Sequence, residues 1–126
     1  MNYSIEFGGG PQDLTMTLTG AVDARSIRRF VEDLVAHPEY RAGMLILADL
    51  SALDTSGITA EQYESVSDVI TGRDHRFPAK AIAIVAPDPR TFHDAVRHRA
   101  YVGGSKSRRE VFRSRADATA WLAEQE

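Results

Sequence analysis

Four consecutive apolar residues, Met44-Leu45-Ile46-Leu47, lead straight into the acidic and hydroxyl-rich stretch from Asp49 to Gly57, and this pairing constrains the chain more than any other feature. The apolar run is too short to span a bilayer and is bounded by Gly43 and Asp49, as in a strand buried on both faces. A second run, Ala79 to Ala86, is almost wholly apolar and rich in small and β-branched residues. Between the two lies an amphipathic segment, so they are predicted to be adjacent parallel strands joined by a helical crossover. In open α/β sheets, sites are built in the loop after the carboxyl end of a central strand. Any chemistry is therefore to be sought in the polar turn that ends Asp54-Thr55-Ser56-Gly57.

The remaining segments fall around this centre. Tyr3-Ser4-Ile5-Glu6-Phe7 and Leu14-Thr15-Met16-Thr17-Leu18-Thr19 alternate apolar and polar residues at period two, as half-buried strands do. The glycine-rich Gly8-Gly9-Gly10 between them reads as a hairpin turn, because a phosphate cradle needs a helix after it and a strand follows instead. Asp23 caps a helix whose Ile27, Phe30, Val31, Leu34 and Val35 recur on one face, and His37-Pro38 stops it. Thr59 and Gln62 have capping-box spacing ahead of Tyr63, Val66, Val69 and Ile70, with Gly72 as the terminator. Pro87-Asp88-Pro89 opens a third helix with Phe92, Ala95, Val96 and Ala100 on its inner face, ended by Gly103-Gly104. Glu110-Val111-Phe112 is a short last strand, and Ser114 and Asp117 begin a terminal helix. The order β-β-α-β-α-β-α-β-α predicts an antiparallel hairpin followed by parallel βαβ units, in a mixed sheet with helices packed on it.

The chain has 126 residues, which suits one domain. It has no cysteine, which removes disulfides, thiolate metal sites and cysteine nucleophiles. No signal-like or membrane-spanning stretch is present in the sequence, so a cytoplasmic protein is expected. A net charge of −3 argues against a nucleic-acid partner.

The hairpin, the first helix, Leu45-Ile46-Leu47-Ala48-Asp49-Leu50-Ser51, then Lys80-Ala81-Ile82-Ala83-Ile84-Val85-Ala86-Pro87 and the closing Val111 to Leu122 resemble the SpoIIAA-like branch of the STAS domains, also called STAS/SEC14-like proteins. The resemblance covers essentially the whole chain. It implies a single STAS-like α/β domain with a five-stranded mixed sheet and about four helices, acting without catalysis or cofactor by binding a protein partner or an apolar, lipid-like molecule. Asp54-Thr55-Ser56-Gly57 is similar to the turn of anti-sigma-factor antagonists, in which a serine at the head of the following helix is phosphorylated by a partner kinase. That similarity makes Ser56 or Thr55 the counterpart. The interval from Asp49 to Asp54 is shorter than in those antagonists, and Thr59 offers a competing cap. The turn is therefore either a phosphorylation site or simply hydrophilic.

Other candidates are weaker. His93 and His98 lie roughly 140° apart on a helix and do not share a metal, and His98 is placed to pair with Asp94. Gly103-Gly104-Ser105-Lys106-Ser107 lacks P-loop spacing and precedes a strand. From Arg97 to Arg115 seven Lys or Arg face one acid, Glu110. If Arg97, Arg99, Lys106, Arg108 and Arg109 converge, they can hold a phosphate, a lipid headgroup, an acidic partner or RNA, although Tyr101 and Phe112 are too few for a stacking platform. If the second and third helices lie side by side, Tyr63, Val66, Ile70, Phe77, Phe92, Val96 and Tyr101 line a groove between them; otherwise these residues are core. An enzyme with an unrecognised site requires an open pocket with buried titratable groups. Oligomeric state, a homodimer included, is left open.

Overall fold

The computed structural model describes residues 1–76, 78–101 and 107–125. Its elements are β1 (Asn2–Phe7), β2 (Leu14–Ala21), α1 (Ala24–Ala36), β3 (Leu45–Asp54), α2 (Ala60–Arg76), β4 (Ala81–Val85), α3 (Pro89–Tyr101), β5 (Arg108–Phe112) and α4 (Arg115–Ala123). The strands form one five-stranded sheet in the order β1-β2-β3-β4-β5. Only β1–β2 is antiparallel; the other three pairings are parallel. The two apolar runs are neighbours, in register from Leu45 opposite Ala81 to Asp49 opposite Val85.

Spatial order follows chain order, so each crossover moves one strand in the same direction, and crossovers of one hand put their helices on one face. The side chains sort accordingly. Leu14, Met16 and Leu18 of β2, Ile46 and Ala48 of β3, and Ile82 and Ile84 of β4 join Ile27, Phe30, Val31 and Leu34 of α1, Val66 of α2 and Ala95 of α3. The opposite set, Leu45, Leu47, Ala81, Ala83 and Val85, packs against Ala118 and Leu122 of α4, with Phe112 and Trp121 at its margin. Because α4 covers only β3, β4 and β5, that face of the hairpin stays open, and Asn2, Ser4 and Glu6 are exposed there. This is why the hairpin strands alternate in polarity while β3 and β4 begin as unbroken apolar runs.

Local signals set the element ends. Ser26 N–H donates to Asp23 Oδ1 at 2.8 Å, and His37 closes α1 before Pro38. The capping box of α2 is reciprocal: Gln62 N–H donates to Thr59 Oγ1 at 3.2 Å and Thr59 N–H to Gln62 Oε1 at 2.9 Å. Thr91 N–H donates to Asp88 Oδ2 at 3.1 Å with Pro89 at the first helical position, and Asp117 N–H donates to Ser114 Oγ at 3.1 Å. The hairpin closes with Gly8 N–H on the Asp13 carbonyl, Gly8 and Gly9 both at positive φ that a side chain would strain.

Two expectations are corrected. The stretch from Asp49 to Asp54 is strand, not turn. Beyond Asp49, β3 pairs only with β2, through Thr19–Ala52, Gly20–Leu53 and Ala21–Asp54, after an irregularity between Thr17 and Thr19. With no β4 residue opposite, this half is exposed on one side and carries the polar residues that look like a loop. Gly72 does not end α2, which continues to Arg76; a single glycine costs only about 1 kcal/mol in a helix, and tertiary packing readily overrides that.

Candidate functional site

Within the five described strands the order never reverses, so the sheet has no switch-point crevice of the doubly wound kind. A site at the carboxyl ends has to form between helices and sheet, and it does so where β3 outruns β4. Leu50 and Leu53 on this overhang, Leu18 and Val22 from β2 and its exit, Ile58 from the following turn and Val66 and Ile70 of α2 surround an apolar cavity of about 110 Å³. The helix α3 contributes Thr91, Ala95 and His98, at the spacing of one helical face.

The groove expected from the sequence is therefore present in part and rotated. Val66 and Ile70 line it. Phe92 and Val96 are only partly buried and do not, because α3 turns its Thr91-Ala95-His98 face inward. Phe92 lies instead under Arg113, whose guanidinium carbon is 5.0 Å from the ring centroid. Phe77 and the side chains of Tyr63 and Tyr101 lie outside the described residues. Of Thr91, Ala95 and His98 the sequence puts only Ala95 on the inner face, because Thr91 and His98 are polar.

The turn at the mouth of the cavity is held by three aspartates. Asp54 Oδ1 accepts the Ser56 N–H at 2.9 Å; the hydrogen bonds from Ser56, side chain first, and then nearby Arg90 hold its carboxyl below the usual carboxylate range. Thr55 donates its hydroxyl to Asp94 Oδ2 at 2.5 Å, and Thr91 Oγ1 donates to the Leu53 carbonyl at 3.3 Å next to its capping Asp88. Ser56 is exposed, at the edge of a polar hollow of about 190 Å³ shared with Arg90, Asp94 and Arg97. Thus the two hydroxyls differ: Thr55 ties the turn to α3, whereas Ser56 is exposed and bonds within the turn, to Asp54. Besides Asp94 accepting from Thr55, His98 Nδ1 lies 3.1 Å from Ser67 Oγ, which joins α2 to α3.

Among the described residues the basic side chains lie in separate places. Arg97 borders the polar hollow, Arg99 pairs with Glu110 at 2.8 Å, and Arg108 donates to Gln125 Oε1 at 2.6 Å on the α4 side. Arg109, one residue on, points to the three-helix face and is 9 % exposed. The alternation of β5 thus separates Arg108 from Arg109. Lys106 lies outside the described residues. Arg109 lines a second apolar cavity of about 100 Å³ that adjoins the first and shares Leu18, Ile27, Leu50, Ile70, Ile84 and His98 with it.

At the other end of the sheet a wider cleft of about 450 Å³ lies among Phe7, Gln12, Tyr40 and Arg41. The Gln12 side-chain oxygen has no hydrogen-bond partner, but it rests where a side chain on Gly10 would stand. Among the described residues, no group of three or more His, Asp or Glu is placed to hold a metal ion, and no helix is long and apolar enough to cross a membrane.

No family model matches the chain, and no curated protein matches it in sequence. Among solved structures it is similar to a crystal structure of an uncharacterized protein of the DUF3478 family from Shewanella loihica PV-4, described as having a SpoIIAA-like fold. The TM-score is 0.57 at 20% identity, over 96% of this chain and 92% of that one. At that identity the likeness speaks for architecture alone: this chain has the SpoIIAA-like α/β fold, with its antiparallel hairpin, parallel βαβ units and four helices.

Proposed function

We propose that this protein is a non-catalytic regulatory domain that binds a small apolar molecule under α2, with the Asp54–Thr59 turn reporting occupancy to a protein partner. The observation that carries it is the apolar cavity between α2, α3 and the β3 overhang, whose rim includes Thr55 and Ile58 of that same turn. A molecule entering there touches α2 and the turn together, so filling the cavity alters the surface around Ser56. A binding role is favoured over catalysis because the polar groups at the cavity wall are engaged in joining elements: Thr55 to α3, Thr91 to β3, His98 to α2.

The test uses octan-1-ol as probe. Titrated into the purified full chain, it should shift the amide resonances of Ile58, Val66, Ile70 and Ala95, and Leu53→Trp, which fills the cavity from its half-buried rim, should abolish the shifts. Unchanged spectra at saturating probe would refute ligand binding at this place.

A second reading is phosphorylation of Ser56, favoured by its exposure at the head of α2 beside Arg90 and Arg97. A phosphate there adds about −1.5 to −2 charge within reach of two guanidinium groups. Peptide mapping of the protein isolated from its own cells should find phosphate on the exposed Ser56 and not on Thr55, which is partly buried with its hydroxyl tied to α3. Unmodified Ser56 across growth conditions removes the idea.

A further inference from the structure

The two adjoining cavities are apolar apart from Thr55, Thr91, His98 and Arg109, and Arg109 alone carries a permanent charge. Around the second cavity the sheet face presents Met16, Ala48, Ile82 and Ile84, and α1 adds Phe30 and Val31. Into this wall β5 inserts Arg109, in register with Ile82, and His98 of α3 lines the same cavity. Burying an arginine to 9 % exposure against aliphatic side chains is unfavourable unless its charge is answered, and a guanidinium carries five N–H donors in a planar fork. That number lets it hold a partner within the protein and a ligand together. The fork matches a carboxylate bidentately, whereas a doubly charged phosphate would put more negative charge than one arginine answers into an apolar wall.

Length follows from volume. An apolar cavity of about 150 Å³ holds benzene, and the two cavities together come to roughly 200 Å³, room for a single chain and not for a lipid headgroup with two tails. Resting on the apolar-ligand reading above, we infer that the ligand is a single-chain carboxylic acid of about six to eight carbons, its carboxylate on Arg109 and its chain running beneath α2 toward Ile58.

Calorimetry on the full chain at neutral pH, with octanoate and octan-1-ol as matched probes, separates this from its parent reading. Octanoate should bind about ten- to a hundredfold more tightly than octan-1-ol, the range of a charge-assisted hydrogen bond in a desolvated site. In Arg109→Met the preference should vanish while octan-1-ol binding stays. In Arg109→Lys, which keeps the charge but loses the fork, the preference should fall severalfold, and this variant decides the matter if the methionine variant does not fold. Equal binding of the two probes to the unaltered protein, or a preference untouched by Arg109→Lys, overturns the carboxylate and leaves the apolar site standing. Failure of both probes to bind brings down the site itself.

Discussion

The two faces of the sheet solve the same packing problem differently. On one, α4 alone brings Ala118 against Ala81 and Ala83 of β4, and these small side chains let Leu47 and Leu122 bury completely. On the other, three helices bridge a wider sheet over Ile82 and Ile84, and they leave two cavities with a buried arginine at one end. The difference begins in the strands. On β4 the alternation sends Ala81 and Ala83 to α4 and Ile82 and Ile84 to the three helices. On the three-helix side β3 also runs from Leu50 to Asp54 past its last pairing with β4, and the first cavity lies beside this overhang. A close-packed face beside a loosely filled one is what a binding domain needs: one supplies rigidity, the other space.

The contrast breaks first, if it breaks, at the α4 face. Leu122→Ala should cost about 2–5 kcal/mol in denaturant unfolding, because a fully buried leucine in a tightly fitted layer leaves a cavity that cannot collapse. A loss under about 1 kcal/mol would mean that α4 is a loose cover. A gentler comparison inserts the same methyl groups on each face. Ala83→Val, at 0% exposure under α4, should cost about 1–3 kcal/mol, whereas Ala48→Val grows into the second cavity and should stay within about 0.5 kcal/mol of the parent. Equal costs would erase the distinction between the faces.

How much of this was legible before the structure depends on which interaction governs each feature. The β3–β4 pairing, the hairpin and the four helix N-caps follow from local patterns, since Asp23, Thr59, Asp88 and Ser114 each act within three residues of themselves. The β3 overhang was not legible, because whether Leu50 to Asp54 pairs depends on where β2 happens to lie. The α3 face was not legible either: Phe92 and Val96 are the more apolar choice, and only the packing partner reveals that Thr91 and His98 are wanted inside for their hydrogen bonds to Leu53 and Ser67. Arg109 was read as one of a basic cluster, and its burial comes from strand alternation inside a sheet whose neighbours the sequence does not name.

The smallest effect contrasts the helix caps on the two faces. On the three-helix side α1 is capped by Asp23, whose carboxyl is held below the ordinary value by the Ser26 backbone N–H first and the Ser26 hydroxyl second. On the other side α4 is capped by Ser114, which does not titrate in the acid range. For a group whose folded value is lowered, the stabilisation is complete above the unfolded carboxylate value of about 3.9 and is lost as pH falls through the lowered folded value. Thermal unfolding between about pH 5 and about pH 3 should therefore show a shallower loss in Asp23→Ser, which keeps a hydroxyl cap, than in the parent chain. Ser114→Ala should cost about 1 kcal/mol by the same amount at both ends of that range. Parallel curves for the parent and Asp23→Ser would mean that the carboxylate at the head of α1 is no better bonded folded than unfolded, and that the three-helix face enters acid no differently from the face covered by α4.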